Sequence, residues 1–327
     1  MNTIFVHNLK KYFSVYHKEP GLAGSLKSFF SRKYKQVKAV DNISFSIAEG
    51  ELVGFIGPNG AGKTTTLKCL SGLLYPTSGE VFVLGFTPFE RKPTFLKQIA
   101  LVMGQKNQLW WDLPPMETFL LNKEIYEIPD NKFKITLSEL SKLLEIEDIL
   151  KIQVRKLSLG QRMKCELIAA LIHCPKVLFL DEPTIGLDVV MQKKMRDFIK
   201  TYNEKFKSTI LLTSHYMDDV KELCQRIIII DQGKILYDGV LDNLVKKYAR
   251  YKTLSVVFEE YIDPKKLVKI GEIKSFEYPK AIIKVDRHTS NLAASALLQE
   301  FPVADLNIEE PEIEDIIREV FMGKELT

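Results

Sequence analysis

Gly57-Pro58-Asn59-Gly60-Ala61-Gly62-Lys63-Thr64-Thr65 is the stretch on which the fold turns. It fits G-x-x-x-x-G-K-[ST], in which glycines let the chain bend tightly and turn backbone N–H groups inward around phosphate oxygens. Glu51-Leu52-Val53-Gly54-Phe55-Ile56 before it reads as a buried strand, and Thr65-Thr66-Leu67-Lys68-Cys69-Leu70 after it as a helix. That helix starts near Lys63 and adds its positive dipole end to the loop. Strand, loop and helix in this order are the setting that phosphate binding requires. Lys63 is placed to reach the β- and γ-phosphates of a nucleoside triphosphate, and the Thr64 hydroxyl to take a Mg²⁺ position.

Working outward, the apolar run Val177-Leu178-Phe179-Leu180 ends in Asp181-Glu182. A buried strand that ends in carboxylates puts them at the C-terminal edge of a sheet, where the phosphate loop also opens. Asp181 is expected to hold Mg²⁺, through water, and Glu182 to act as general base or water-orienting group. Further apolar strands are expected at 209–213 and 227–230, separated by helical segments, and 114–153 reads as helical, with Leu137, Leu140, Leu143 and Leu144 at helix spacing. Strands alternating with helices imply an α/β core with a largely parallel sheet. Beyond a polar, basic stretch at 244–251 a second unit is expected. It holds strands at 253–258, 272–277, 280–285 and 303–308 and helices at 264–269 and 289–299, a ferredoxin-like α+β arrangement.

The 327 residues give room for about two domains, and 46% hydrophobic content suits a globular chain with a proper core. A formal net charge of +4 is too mild to argue for nucleic acid, and none is expected as partner. Cys69, Cys165, Cys174 and Cys224 form no C-x-x-C pair, so neither zinc nor a disulfide framework is indicated. Cys69, Cys165 and Cys174 sit among apolar neighbours and read as buried, reduced thiols. No signal peptide is visible, and no apolar run approaches the roughly 20 residues needed to span a bilayer.

Between the two nucleotide-binding halves lies Leu157-Ser158-Leu159-Gly160-Gln161-Arg162, and here the chain resembles ATP-binding cassette (ABC) ATPases over most of 1–245. The resemblance implies an α/β P-loop NTPase of the ABC ATPase type at 1–245, with a helical subdomain at about 106–170. A small C-terminal α+β domain follows at 250–327. It implies ATP and Mg²⁺ as ligands, with Gly57, Pro58, Asn59, Gly60, Ala61, Gly62, Lys63, Thr64 and Thr65 around the phosphates. Gln105 looks like the Q-loop glutamine that senses Mg²⁺ and the γ-phosphate, and His215 in Thr213-Ser214-His215 like the switch histidine. Ser158 and Gly160 match the signature motif, and Asp188 ends a D-loop beginning at Pro183. Tyr12 resembles the aromatic residue that stacks on adenine, a role its neighbour Phe13 is also placed to fill. Leu159 stands where the family usually has glycine; a positive φ there would be costly for leucine.

Two further stretches narrow the reading. Trp110-Trp111, after the Q-loop, reads either as a docking surface for a membrane subunit or as local core. From Lys10 to Lys38, the positions 10, 11, 18, 27, 32, 33, 35 and 38 are Lys or Arg against one acid, Glu19. The part from about 14 to 38 reads as an irregular basic insertion. Within it Leu22, Leu26, Phe29, Phe30 and Tyr34 fall on one helix face, which would lie on anionic headgroups, on a membrane partner or on its own domain. This insertion, the L-S-L-G-Q variant and 183–190 together resemble the ABC-2-type exporter ATPases, including viologen- and drug-exporter-like members. The resemblance implies an ATPase that energises export through separate integral-membrane permease subunits. It would pair head to tail with a second ATPase subunit, expected to be its own copy, at the cytoplasmic face of the membrane. An importer ATPase and a non-transport soluble ABC ATPase are the alternatives.

Overall fold

A computed structural model describes residues 2–16, 34–104, 108–249, 251–311 and 313–321. The chain forms two compact units, Met1–Gly239 and Val240–Thr327.

In the first unit β1 (Asn2–Tyr16) runs antiparallel to β2 (Tyr34–Ala48), and a second sheet is built on β3 (Leu52–Ile56), which feeds the phosphate loop. The other edge of β1 pairs antiparallel with β4 (Ser78–Val83), giving a three-stranded sheet of order β2-β1-β4. The larger sheet adds β5 (Ile99–Met103), β6 (Val177–Asp181), β7 (Thr209–Thr213), β8 (Arg226–Asp231) and β9 (Lys234–Val240) in the order β5-β6-β7-β3-β8-β9. The pairs β3–β7, β3–β8, β5–β6 and β6–β7 are parallel. Strands covered on both faces read as unbroken apolar runs. Accordingly Val177, Leu178, Phe179 and Leu180, and Ile227, Ile228, Ile229 and Ile230, are all buried. Because β3 and β6 are parallel and separated only by β7, the loops that follow them open on the same edge.

The helical segments Pro115–Ile125, Asp130–Leu144 and Leu159–Leu171 follow β5 and precede β6. Leu137, Leu140 and Leu144 are buried, whereas Leu143 faces solvent. Cys69, Cys165 and Cys224 are the buried thiols; Cys174, expected to be buried, is half-covered, with its sulfur 3.7 Å from Thr136 Oγ1.

The basic insertion departs from its reading as irregular from residue 14 and helical up to residue 34. The β1–β2 ladder continues through Tyr12↔Lys38, Phe13↔Val37, Ser14↔Gln36 and Val15↔Lys35 to Tyr16↔Tyr34. β-Branched and aromatic residues favour extended backbone once a partner strand offers its hydrogen bonds. Tyr34 therefore belongs to a strand, not to a helix face, and Leu22, Leu26, Phe29 and Phe30 lie outside the described residues.

In the second unit β10 (Tyr251–Phe258), β11 (Glu272–Glu277), β12 (Lys280–Asp286) and β13 (Val303–Glu309) form an antiparallel sheet of order β11-β12-β10-β13. With the 3₁₀ turn Pro264–Lys269 after β10 and the helix Ser290–Glu300 after β12, this is the ferredoxin-like order expected. Leu254, Val256, Phe258, Ile283, Val285, Ala294 and Leu297 make its core. The helix Leu241–Tyr248 lies inside this unit and packs against the helix Ile313–Phe321.

Candidate nucleotide site

The phosphate loop leaves β3 at Ile56 and enters the helix Lys63–Leu70 through Gly62, whose φ of 110° lies in the left-handed region. The loop is braced from behind. The Asp41 N–H donates to the Gly233 carbonyl at 2.8 Å, and the Gly233 N–H to the Ala61 carbonyl at 3.0 Å. Lys63 is buried, and its ammonium donates to the carbonyls of Gly57 (2.6 Å) and Pro58 (3.1 Å). Burial pushes the Lys63 pKa below its ordinary value, against the pull of Glu182 and Asp181. An ammonium that is costly to keep charged gains strongly from an anionic ligand.

Asp181, at the end of β6, gathers neighbouring loops. It accepts from the Thr64 hydroxyl at 2.8 Å and from the Thr213 hydroxyl at 2.7 Å, while its carbonyl accepts the Gly104 N–H at 2.9 Å. The hydroxyl of Thr64 and the carboxylate of Asp181, already in contact, are hard oxygen donors of the kind Mg²⁺ takes. Remaining positions would fall to phosphate oxygens and water, so the pair fits the expected ion. Glu182 follows with φ 55°, an uncommon conformation for a residue with a side chain, and its N–H is held by the Thr213 hydroxyl and carbonyl, each at 3.1 Å. His215 Nε2 lies 2.5 Å from Glu182 Oε1. Thus Lys63, Thr64, Asp181, Glu182 and His215, picked out separately along the chain, stand on one sheet edge. The bracing role of Thr213 escaped sequence reasoning; its only signal is a hydroxyl ending an apolar strand.

Ser158 caps the helix Leu159–Leu171 in a reciprocal box. Its hydroxyl accepts the Gln161 N–H at 3.2 Å, and the Gln161 side chain accepts the Ser158 N–H at 3.0 Å. Leu159 is the first helical residue and has no positive φ, so the strain expected of a leucine at this position does not arise. Gly160 lies against Met191, which belongs to the helix Val189–Phe206. Asp188 caps that helix by accepting the Met191 N–H at 2.9 Å. Among the described residues no hydrogen bond joins Ser158 or Gly160 to the phosphate loop, so the structure does not bring these two to the Lys63 edge.

Tyr12, in β1, donates its hydroxyl to Asp41 Oδ1, and the Lys38 ammonium stands 5.4 Å from its ring centroid. That hydrogen bond raises the phenol pKa and lowers that of the Asp41 carboxyl. Tyr12 is thereby tied, through Asp41 and Gly233, to the back of the phosphate loop. Gln105 lies outside the described residues. Just after it, the buried Glu166 accepts the N–H groups of Gln108 (2.8 Å) and Leu109 (3.2 Å). Its burial raises the carboxyl pKa, and the two backbone donors oppose that. An acid between Cys165 and Leu167 on an apolar helix face was the overlooked sequence signal. Trp110 and Trp111 are both exposed, at 55% and 50%, and Trp111 lies 5.4 Å from the Arg162 guanidinium.

Comparison with known proteins gives the family. Residues 40–185 match the ABC transporter family, and residues 250–309 match the EvrA-like ABC transporter C-terminal domain. The ABC transporter ATP-binding protein NatA of Bacillus subtilis is 34% identical over 229 residues, covering 70% of this chain and 92% of NatA. The linearmycin resistance ATP-binding protein LnrL of the same organism is 29% identical over 292 residues, covering 86% and 93%. The bacitracin transport ATP-binding protein BcrA of Bacillus licheniformis is 33% identical over 221 residues, covering 68% and 71%. In fold, the chain is similar to the solved ATP-binding cassette MJ0796 bound to ADP and Pi (TM-score 0.60, 24% identity, 72% of this chain and 98% of that one). With a phosphate loop, a carboxylate-ended strand and a histidine on one edge of such a fold, the chain belongs to the ATP-binding subunits of ABC transporters and is an ATPase.

Proposed function

We propose that this chain energises an ABC-2-type exporter. It would work as a head-to-tail pair of identical subunits under separate integral-membrane permeases, at the cytoplasmic face of the membrane. The observation that carries the chemistry is the convergence of Lys63, Thr64, Asp181, Glu182 and His215. In this reading Lys63 exchanges the carbonyls of Gly57 and Pro58 for β- and γ-phosphate oxygens. Thr64 and Asp181 hold Mg²⁺, which when bound neutralises charge on the phosphates. Glu182 orients the attacking water, and His215, 2.5 Å from it, fixes that carboxylate and faces the γ-phosphate. Gln105 completes the γ-phosphate side, and Tyr12 carries the adenine. Ser158 and Gly160 of one subunit close on the phosphates of the other, with Asp188 at the seam.

Export is favoured by the company the sequence keeps, since the similar proteins include ones named for bacitracin transport and linearmycin resistance. The exposed Trp110 and Trp111 are a suitable anchor for a permease, because Trp gives large contact area at low entropy cost. Among the described residues no helix is long and apolar enough to cross a membrane; in this reading separate permeases supply the pore. The test is to solubilise membranes, pull down the chain and identify what comes with it. Polytopic permeases and a second copy of the chain are expected. A substrate-binding protein in the complex would replace export by import, and recovery without any permease would end the transport reading.

A further inference from the structure

Asp219 is completely buried in the short helix Met217–Leu223, and its carboxylate is fully engaged. Oδ2 accepts from the Thr184 hydroxyl at 2.5 Å and from the Ser214 hydroxyl at 2.6 Å, and Oδ1 accepts from Arg196 Nη1 at 3.1 Å. Arg196 is also buried, and its guanidinium pairs with Glu222, its Nε 3.1 Å from that carboxylate. Ser214 in turn accepts the Tyr216 N–H at 3.0 Å. A buried carboxylate is costly unless its oxygens are met, and donors to both oxygens hold Asp219 and the groups that bond to it in one arrangement.

The members matter because of where they sit. Thr184 is two residues after Glu182 on the segment that runs to Asp188, and Ser214 immediately precedes His215. One carboxylate thus ties together the two loops whose side chains meet as the Glu182–His215 pair. Arg196 anchors that carboxylate to the helix that Asp188 caps. We infer that Asp219 is a positioning residue for ATP hydrolysis: through Thr184 and Ser214 it fixes the separation of Glu182 and His215, and through Arg196 it relays the posture of the Asp188 end of the helix to them. The inference rests on the proposed roles of Glu182 and His215. It concerns turnover alone, since none of the network residues bonds to the phosphate loop among the described residues.

Thr184→Val removes the hydroxyl with little change of shape, and Thr184→Ser keeps it. ATPase rate and ATP affinity are measured for both in the full chain, at concentrations where it self-associates. The expected result is a kcat lowered about 10–100-fold for Thr184→Val, the range that a misplacement of about 1 Å produces, with KM for ATP unchanged; Tm should fall in the same variant, because the buried Asp219 Oδ2 loses one of its two donors. Thr184→Ser should restore turnover. Asp219→Asn should fall at least as far, and if that variant does not fold, the Thr184 pair decides alone. Wild-type kcat in both Thr184→Val and Ser214→Ala would overturn the inference. His215→Ala separates this from the underlying reading. If it too turns over normally, the assignment of the catalytic pair is what fails; if it is dead while Thr184→Val is active, only the positioning role falls.

Discussion

Gly60 and Gly62 stand two residues apart in the phosphate loop, both with positive φ (80° and 110°), yet the same substitution should harm them very differently. A Cβ on Gly60 would meet nothing within 4 Å, whereas one on Gly62 would fall 2.3 Å from the Ala39 carbonyl oxygen, which is backbone and cannot rotate away. Left-handed φ costs an L-residue about 1–2 kcal/mol in either place. At Gly62 the overlap adds about 1–3 kcal/mol for pushing the loop off β2, so the totals are about 1–2 kcal/mol for Gly60→Ala and about 2–5 kcal/mol for Gly62→Ala. For a unit of this size each kcal/mol lowers Tm by roughly 2–4 °C, giving roughly 2–8 °C against 4–20 °C. Differential scanning calorimetry, following the transition of the larger unit, reads both. Titration with Mg·ATP adds a second measure, because a ligand that binds only the folded form raises its Tm. Gly60→Ala should keep that rise and Gly62→Ala should lose most of it. Equal destabilisation by the two alanines, or an undiminished ATP-induced shift in Gly62→Ala, would refute the view that Ala39 is the wall against which the loop is shaped.

Trp111→Ala should cost the fold only about 0.5–1 kcal/mol, the worth of its contact with Arg162. At least one of Trp110→Ala and Trp111→Ala should nevertheless reduce co-purification with membrane subunits about 10-fold, and undiminished recovery of both would remove the tryptophans from the interface. His173 is buried, stacked on Tyr126 at 3.8 Å, with Nε2 on the Ile99 carbonyl and Nδ1 without a hydrogen-bond partner among the described residues. Burial pushes its pKa from 6.5 down to about 4, so the native state favours the neutral ring. The associated stability is present above pH 6.5 and is lost as pH falls through about 4, by up to about 3 kcal/mol. Urea melts of wild type and His173→Gln between pH 7 and 4 should show a flatter pH dependence for the variant, and parallel curves would clear His173 of the effect.

The site was legible wherever chemistry requires a residue type at a fixed distance along the chain. The phosphate loop, the Asp181–Glu182 strand end and His215 each carry such a constraint, and the structure sets them together. In the C-terminal unit the alternation of apolar residues placed all four strands to within about two residues, because one face is core and the other is not. Legibility failed where a partner strand decides. Ser14 to Tyr16 and Tyr34 to Lys38 have no strong period of their own and become strand only because each lies beside the other. It failed again at Asp219, one of two adjacent acids on a short helix. Nothing in the sequence says that Asp218 stays at the surface while its neighbour is completely buried under Thr184, Ser214 and Arg196. The feared strain at Leu159 vanished for a related reason, since a helix starting at that residue makes the right-handed conformation the natural one.

The reciprocal cap at Ser158 carries a consequence for which amino acids the position tolerates. Its oxygen already accepts the Gln161 N–H, so the hydroxyl proton is what it has left to offer an incoming group. To the helix alone, aspartate would serve as well as serine, since both are good N-caps and a negative charge suits a helix N-terminus. A phosphate arriving at the proposed seam would meet a donor in one case and a like charge in the other. Folding and catalysis therefore make different demands on a single side chain, and only a subunit that must receive another's nucleotide has reason to refuse the acid.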